Sequence, residues 1–194
     1  MYLSKIDMPP LSRKTVKILS DLYTAHQMVM GGFKKYDAEE SGRILYRLEP
    51  ERYDETYRVL VQSESEPDWS HLSPYVEIDL KQWESRLQEG RRYRFRLRAN
   101  PIVTRQGRRF GLIGESDQRR WLERKDLGLS WIDYHVIDEG HRTSWKIGRP
   151  IYYRSVVYEG IVEVVVHKKA LAALYGGIGP AKGFGFGLLS LARI

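Results

Sequence analysis

The segment that most constrains the fold of this chain lies near its centre, where arginine and apolar residues alternate without a break. Arg92, Arg94, Arg96 and Arg98 alternate with Tyr93, Phe95 and Leu97. Successive side chains of a β-strand point to opposite faces, so a strand here buries the Tyr/Phe/Leu face and presents four guanidinium groups on the other. The dipeptide Asn100-Pro101 follows directly and is a natural boundary between two domains.

This strand begins a region with a strong excess of positive charge. The 194-residue chain has a net charge of +7, but residues 91–125 hold twelve Lys or Arg against three acids, so the remainder is slightly acidic. A localised excess of this kind is typical of proteins that bind a polyanion, most often nucleic acid. Two alternatives are a solvated basic surface and arginines that pair with acids on a neighbouring strand.

Composition excludes several other classes of protein. Hydrophobic residues make up 42% and charged residues 29% of a chain long enough to bury a core. No apolar run approaches the ~20 residues of a membrane span, and no signal peptide is present, so we expect no membrane partner and a cytoplasmic location. The chain has no cysteine and its five histidines have no paired spacing, so we predict no metal site and no cofactor.

Residues 1–100 predict the order β-α-β-β-(α)-β. Ser12 is the expected N-cap of one helix that continues to Met30 and ends at Gly31-Gly32. Pro67–Glu89 is ambiguous and can hold a short helix. The predicted strands are Tyr2–Met8, Arg43–Glu49, Tyr57–Ser63 and Arg92–Arg98.

Residues 101–194 predict the same order, although the two halves share no sequence repeat. The predicted helices are one capped by Ser116 that extends to Lys125, and a second at His167–Tyr175. The predicted strands are Arg109–Ile113, Trp131–Ile137, Ile151–Val166 and Phe184–Leu191, with a polar, basic excursion at His141–Pro150. The fold class is therefore α+β, with two tandem ferredoxin-like (RRM-like, β-α-β-β-α-β) domains at residues 1–100 and 101–194.

A glycine-rich segment, Gly176–Leu191, lies close to the C-terminal end of the sequence. Six glycines fall within twelve residues, and an apolar run follows them. Such a segment lets the backbone approach an anion closely, but it matches neither the Walker A loop nor the dinucleotide fingerprint. Lys182 can contact a phosphate beside this loop or cover the loop in solvent. A flexible turn before the last strand is the alternative.

His26 is the candidate for chemistry. It lies one helical turn after Tyr23, so both side chains project from one face of the helix. In a polyanion binder, an imidazole can support RNA cleavage without a metal ion. A base takes the proton of the 2′-hydroxyl that attacks the phosphate, and an acid protonates the departing 5′-oxygen. Tyr23 can donate to a phosphate oxygen or orient the hydroxyl, and packing of the whole face in the core is the alternative.

Four segments of the chain form a recognisable set. They are the opening M-Y-L-S-K, L-Y-x-x-H-Q at Leu22–Gln27, F-R-L-R-A-N-P at Phe95–Pro101, and G-I-G-P-A-K-x-x-G-x-G-L-L-S-L at Gly177–Leu191. Together they resemble the CasE family, the CRISPR RNA-processing endoribonucleases of the type I-E Cascade complex in antiviral defence. The similarity extends from residue 1 to the last few residues in matching order.

The resemblance implies metal-independent cleavage at the base of a repeat hairpin, with a 2′,3′-cyclic phosphate and a 5′-hydroxyl as the new ends. The pattern of the family places its catalytic histidine at His26 and its assisting tyrosine at Tyr23. Some members have a lysine after this helix, where this chain has Gly31-Gly32, so Lys34 or Lys35 are candidate substitutes. The implied partners are the precursor RNA, the mature crRNA that stays bound, and other Cascade subunits; we expect a monomer when the protein is free.

The family recognises its hairpin partly through a β-hairpin of the second domain, and His141–Pro150 matches that position. We expect recognition by shape and phosphate contacts, with specificity from the paired bases. The candidate RNA-binding side chains are Lys34, Lys35, Arg96, Arg98, Arg108, Arg109, Arg119, Arg120, Arg142, Lys146, Arg149 and Lys182. A non-catalytic RNA-binding subunit, and an assembly module whose basic strand meets an acidic partner, remain alternatives.

Overall fold

The structure is a computed structural model that describes residues 1–9, 13–33, 42–49, 56–72, 76–146 and 148–194, with only the backbone for residues 13, 14 and 146. It divides into two compact units, each of which contains a four-stranded sheet. The first unit comprises Met1–Glu84, Thr143–Ile151 and Gly183–Gly185, and the second comprises Ser85–Arg142, Tyr152–Lys182 and Phe186–Ile194. Ser12, Lys34 and Lys35 lie outside the described residues.

The first unit has a sheet of order β2-β3-β1-β4, the strand order of a ferredoxin-like fold. Neighbouring strands are antiparallel throughout this sheet. Among the described residues between β3 and β4 there is no helix, so the ambiguous segment supplies a strand instead. In chain order the elements are β1 (Tyr2–Met8), α1 (Arg13–Ser20), α2 (Leu22–Met30), β2 (Ile44–Leu48), β3 (Tyr57–Ser63) and β4 (Glu77–Gln82).

The core of the first unit forms between one face of its sheet and one side of α2. Ile6 of β1 is buried opposite Val59 of β3 in the strand register. On α2, Leu22, Ala25 and Val29 are buried, which is the stripe expected of an amphipathic helix that packs on a sheet. The parallel stripe that includes Tyr23 and His26 is only half-buried.

The prediction of a single helix up to Met30 is wrong, because the chain leaves the helical conformation at Asp21. Asp21 is extended (φ −132°, ψ 115°), and its carboxylate accepts hydrogen bonds from the backbone N–H groups of Tyr23 and Thr24. An aspartate is among the preferred N-cap residues, since its side chain satisfies N–H groups that have no partner within the helix. Asp21 therefore ends α1 and begins α2, whereas the predicted end of the helix at Gly31 is confirmed.

The second unit has a sheet of order β10-β5-β9-β8, again the ferredoxin-like order. Its elements, in chain order, are β5 (Arg92–Ala99), β6 (Ile102–Arg105), β7 (Arg108–Gly111), α3 (Glu115–Glu123), β8 (Leu129–Lys146), β9 (Arg149–Val164), α4 (His167–Gly176), a short 3-10 helix (Lys182–Phe184) and β10 (Leu189–Arg193). The strands β6 and β7 form a separate hairpin. Gln106 and Gly107 both have positive φ at its turn, as a two-residue type I′ turn requires.

The central alternating strand belongs to the second sheet, not the first. The burial of Tyr93, Phe95 and Leu97 confirms the predicted apolar face. This strand, β5, pairs with β9 and β10, and the fourth strand of the first sheet is β4. The division between the units therefore falls after Glu84 instead of at the predicted boundary between residues 100 and 101.

Three further predictions about the second half differ from the structure. Helix α3 begins after Gly114 and has no side-chain cap, so Ser116 is not its N-cap. The closing strand is shorter than predicted because the chain first forms the 3-10 helix Lys182–Phe184. The strand β6 was not predicted.

Within the described residues, no helix has both the length and the apolar character to span a membrane.

Candidate active site

His26 lies on the half-buried side of α2, next to the glycine-rich segment. The imidazole Nδ1 is 2.8 Å from the carbonyl oxygen of Gly183. A carbonyl oxygen can only accept a hydrogen bond, so Nδ1 must carry a hydrogen and donate it. The other ring nitrogen, Nε2, is then left with its lone pair in the neutral ring, and this is the tautomer that a general base requires.

Two more contacts fix the position of this carbonyl and of the imidazole. The Tyr46 hydroxyl, on β2, donates to the same Gly183 oxygen at 3.2 Å. The ring of Phe184 lies 5.6 Å from the imidazole between ring centroids. The glycine-rich segment thus holds His26 in one orientation, a role that its composition did not indicate.

Glycine is required at position 185 for this approach. Gly185 has φ +83°, which favours glycine, and a Cβ there would lie 3.0 Å from Cε2 of Tyr46. The segment can therefore bring the Gly183 carbonyl against His26 and Tyr46 only with a glycine in this place.

Tyr23 and His26 face the same side of α2, as predicted. Their ring centroids are 6.3 Å apart and their planes are inclined by 30°. The start of the helix that carries them is held by Asp21, whose Oδ1 also accepts a hydrogen bond from the backbone N–H of Trp145 at 3.0 Å. Burial raises the pKa of Asp21, but the hydrogen bonds from Trp145, Thr24 and Tyr23 outweigh it and hold the pKa below the usual value.

The two positions after α2, Gly31 and Gly32, require glycine for steric reasons. A Cβ on Gly31 would lie 2.9 Å from Nε2 of His71, which itself is 3.1 Å from the carbonyl oxygen of Met28. A Cβ on Gly32 would lie 2.3 Å from the indole of Trp69. The loop after β3 therefore packs against the end of the helix and leaves no room for a longer side chain at either position.

No group of three or more His, Cys, Asp or Glu side chains that could hold a metal ion occurs among the residues that the structure describes.

Four arginines that were candidates for RNA contact are engaged in ion pairs within the second unit. Arg96 lies 3.0 Å from Glu159 across the β5–β9 pair, and Arg119 and Arg120 of α3 lie 2.7 Å and 2.5 Å from Glu115 and Asp117. Arg98 donates from Nε and Nη2 to both oxygens of Glu139, at 2.9 Å and 2.7 Å. With only 9% of its side chain exposed, Arg98 is held by Glu139 within the second unit, and its role as an RNA contact stays a prediction.

Two other candidate RNA-binding side chains already interact with groups of the protein itself. Arg142 is half-buried, and burial together with the nearby Arg98 guanidinium lowers its pKa. The ammonium of Lys182 donates to the carbonyl oxygen of Gly176 at 2.7 Å, so this side chain braces the glycine-rich segment.

Three candidates remain exposed. Arg108 and Arg109 lie on the exposed strand β7, and Arg149 begins β9. None of the three forms an ion pair with another residue in the described part of the chain. The side chain of Lys146 and all of Lys34 and Lys35 lie outside the described residues.

Known proteins that the chain resembles have the same fold. A family model for "CRISPR associated protein" matches residues 1–193. The CRISPR-associated endoribonuclease Cse3 of Thermus thermophilus is 35% identical, over 99% of this chain and 100% of the relative. The Cascade subunit CasE of Escherichia coli K12 is 33% identical, over 100% of both chains.

A solved structure of the CRISPR endoribonuclease Cse3 bound to a 19-nucleotide RNA is also similar. It has a TM-score of 0.89 at 33% sequence identity and covers 100% of both chains. The chain belongs to the family of CRISPR-associated proteins that includes Cse3 and CasE. The resemblance noted in the sequence is thereby confirmed.

Proposed function

We propose that this protein is an endoribonuclease that binds the repeat hairpin of CRISPR precursor RNA and cuts at its base without a metal ion. The 2′-hydroxyl before the scissile phosphate attacks the phosphorus, and the bond to the 5′-oxygen breaks. The products are a 2′,3′-cyclic phosphate and a 5′-hydroxyl, and the protein stays bound to the mature crRNA. Kinship with an endoribonuclease whose structure holds RNA supports the substrate class.

The observation that carries this proposal is the hydrogen bond between His26 Nδ1 and the Gly183 carbonyl. It leaves Nε2 able to accept the proton of the 2′-hydroxyl or, when the ring is protonated, to give a proton to the departing 5′-oxygen. Correctly placed proton transfer of this kind accelerates a reaction by ~10²–10⁴-fold. Either role uses the same nitrogen and the same fixed orientation of the ring.

Tyr23 is the second group of this site. Its hydroxyl can donate to a phosphate oxygen, because its ring lies on the same side of α2 as the imidazole. A Tyr23→Phe variant keeps the ring and removes only the donor. We expect it to cleave more slowly than wild type but faster than a variant that lacks the imidazole.

The RNA backbone is held by exposed basic side chains that no acid neutralises. Arg108, Arg109 and Arg149 fit this description within the described residues. Phosphate contacts of this kind release counterions, so binding should weaken steeply as the salt concentration rises. Lys34, Lys35 and Lys146 stay candidates from the sequence. By analogy with CasE, the other partners are subunits of Cascade, and the site of action is the cytoplasm, where the precursor RNA is made.

A single-turnover cleavage assay with a cognate repeat RNA tests the chemistry. We compare wild type with His26→Ala in EDTA and expect the rate constant of the variant to fall by ~10²-fold or more. The matched control is His167→Ala, which removes an imidazole from the second unit, at the start of α4, and should cleave at the wild-type rate. Mass spectrometry of the 5′ fragment should find the 2′,3′-cyclic phosphate.

Each other outcome contradicts a different part of the proposal. Full activity of His26→Ala removes the histidine from the mechanism. Loss of wild-type cleavage in EDTA, restored by a divalent cation, overturns the metal-free reaction. Tight binding without cleavage by wild type makes the protein a non-catalytic RNA-binding subunit.

A further inference from the structure

Trp145 differs from the other tryptophans of the chain in its exposure. It lies near the end of β8, where the β8–β9 hairpin turns, and 56% of its surface is exposed. Trp69 and Trp121 are buried, and Trp83 and Trp131 are half-buried. A tryptophan has a large apolar ring with a polar N–H and is enriched at interfaces, so an exposed one is a candidate contact for another molecule.

The backbone at Trp145 is fixed although its side chain is free. Its N–H donates to Oδ1 of Asp21 at 3.0 Å, and the preceding residue, Ser144, is completely buried. Because side chains alternate along a strand, burial of Ser144 directs the indole of Trp145 outward. All of these groups belong to the first unit.

Asp21 connects Trp145 with the helix that carries the candidate catalytic residues. The same Oδ1 accepts the N–H of Tyr23 at 3.2 Å, and Oδ2 accepts the N–H and the hydroxyl of Thr24 at 3.1 Å and 2.8 Å. His26 follows Asp21 by five residues, which corresponds to roughly 7.5 Å along a helix axis. One carboxylate therefore sets the start of α2 and holds the backbone of Trp145 beside it.

We infer that Trp145 is a platform on which one base of the RNA stacks close to the scissile phosphate, and that Asp21 is the positioning residue that ties this platform to α2. Unpaired bases stack on exposed aromatic rings in most single-strand recognition. RNA fits better than an apolar protein partner because Arg142, Lys146 and Arg149 surround Trp145 in the sequence of the hairpin. This inference rests on the proposed function, since it needs an RNA that binds and is cut.

Binding of repeat RNAs that each lack one base tests the stacking. The probes are a cognate repeat RNA and a series of the same RNA with a single abasic nucleotide, moved stepwise through the unpaired positions beside the cleavage site. We expect Trp145→Ala to weaken binding of the intact RNA by about 5- to 100-fold, the range of one base–aromatic stack, and Trp145→Phe to weaken it less. At one position, removal of the base should weaken binding by wild type but not by Trp145→Ala.

A control from the same strand separates stacking from general loss of apolar surface. Ile137 is another exposed apolar residue of β8, and Ile137→Ala should bind every probe as wild type does. If Trp145→Ala binds and cleaves like wild type, or responds to every abasic RNA as wild type does, the stacking inference is wrong while the proposed function stands. If Trp145→Ala binds RNA normally and loses only its association with purified Cascade subunits, the indole meets protein and the inference is also overturned. If wild type neither binds nor cuts the repeat, both fail.

The positioning role of Asp21 is tested with Asp21→Ser. A serine caps a helix about as well as an aspartate, but its single short oxygen cannot also hold Trp145. We expect the thermal midpoint to stay close to that of wild type, while the effect of the abasic nucleotide falls towards that of Trp145→Ala. The matched control is Thr24→Val, which loses one hydrogen bond to Asp21 and keeps the one from Trp145. If Asp21→Ser retains the full base-specific effect, Asp21 does not position the platform.

Discussion

The two units share one strand order but use the helix that precedes the second strand of their sheet in different ways. In the first unit, α2 leaves Tyr23 and His26 half-buried and uncommitted to the core. In the second, α3 buries Trp121 and Leu122 and pairs its arginines with acids of the same helix. The topology alone therefore does not create a site. A site also requires a helix with side chains that are not used in packing or in ion pairs.

The charges of the second unit lead to the same conclusion. The most basic stretch of the sequence lies there, yet Arg92, Arg96 and Arg98 on β5 are paired with glutamates. Three of the four arginines of the alternating strand thus pair with acids of the second unit. We place RNA contacts on the exposed arginines of β7 and β9 instead.

The largest effect that tests this difference is expected from Arg98→Ala. The substitution removes the two hydrogen bonds that the buried guanidinium donates to the partly exposed Glu139 carboxylate, and loss of a hydrogen bond to a charged group lowers the free energy of unfolding by ~1.5–3 kcal/mol. Chemical denaturation followed by circular dichroism measures this loss. RNA affinity of the folded variant should be unchanged.

The control for Arg98 is another arginine of the same strand. Arg92 pairs with Glu163 at 3.0 Å, but 60% of its side chain is exposed. Arg92→Ala should therefore change the free energy of unfolding by less than ~1 kcal/mol. If Arg98→Ala is as stable as Arg92→Ala and loses affinity for RNA, Arg98 is an RNA contact after all and the contrast between the units fails.

A smaller loss of stability is expected from a substitution at the end of α2, where the first unit requires glycine. In Gly32→Ala the new Cβ would meet the Trp69 indole at 2.3 Å, and Trp69 cannot easily move because its Nε1 donates to Ser4 Oγ at 2.9 Å. Overpacking of this kind lowers the free energy of unfolding by ~1–3 kcal/mol. The measurement is the shift of the thermal midpoint.

Gly176, the last residue of α4 in the second unit, supplies the matched control. A Cβ there would have no atom within 4 Å. Gly176→Ala should be neutral or stabilise the protein by up to ~1 kcal/mol, since alanine is the better helix former. Equal destabilisation by the two substitutions would show that the Trp69 contact does not matter.

The sequence predicted the parts of this molecule that depend on local patterns. The strands Tyr2–Met8 and Tyr57–Ser63 have the predicted bounds, and Tyr23 and His26 share one face of a helix. The exposed strand β4 has no buried face, so it lacks the alternation that marks a strand. The break at Asp21 was missed because the apolar stripes continue through it.

Other features depend on contacts between distant parts of the chain. Membership of β5 in the second sheet is decided by pairing with residues about 60 and 95 positions later, which no local pattern contains. The hydrogen bond from His26 to Gly183 spans 157 residues. The sequence identified both ends of this contact as notable but gave no signal that they meet.

The smallest expected effect is on the free energy of unfolding at low pH, and one carboxylate from each unit is compared. The pKa of Asp21 and the pKa of Glu139 both lie below their usual values; burial opposes the shift in each case, and hydrogen bonds, with the Arg98 charge for Glu139, outweigh it. Because the folded protein binds these protons less readily than the unfolded chain, each group stabilises the fold at neutral pH. That contribution disappears as the pH falls below the ordinary values of 3.8 and 4.5.

The free energy of unfolding from pH 7 to pH 3 should therefore fall less steeply in Asp21→Ser and in Glu139→Gln than in wild type, whatever their stability at pH 7. The RNA affinity of wild type and of Glu139→Gln should fall at low pH, and this fall should be smaller in Asp21→Ser. The reason is that Asp21 holds both α2 and Trp145, whereas Glu139 holds Arg98. A pH profile of binding that changes in both variants would mean that the ion pair of the second unit also serves the RNA. The contrast between a unit that carries the chemistry and a unit whose charges are structural would then have to be withdrawn.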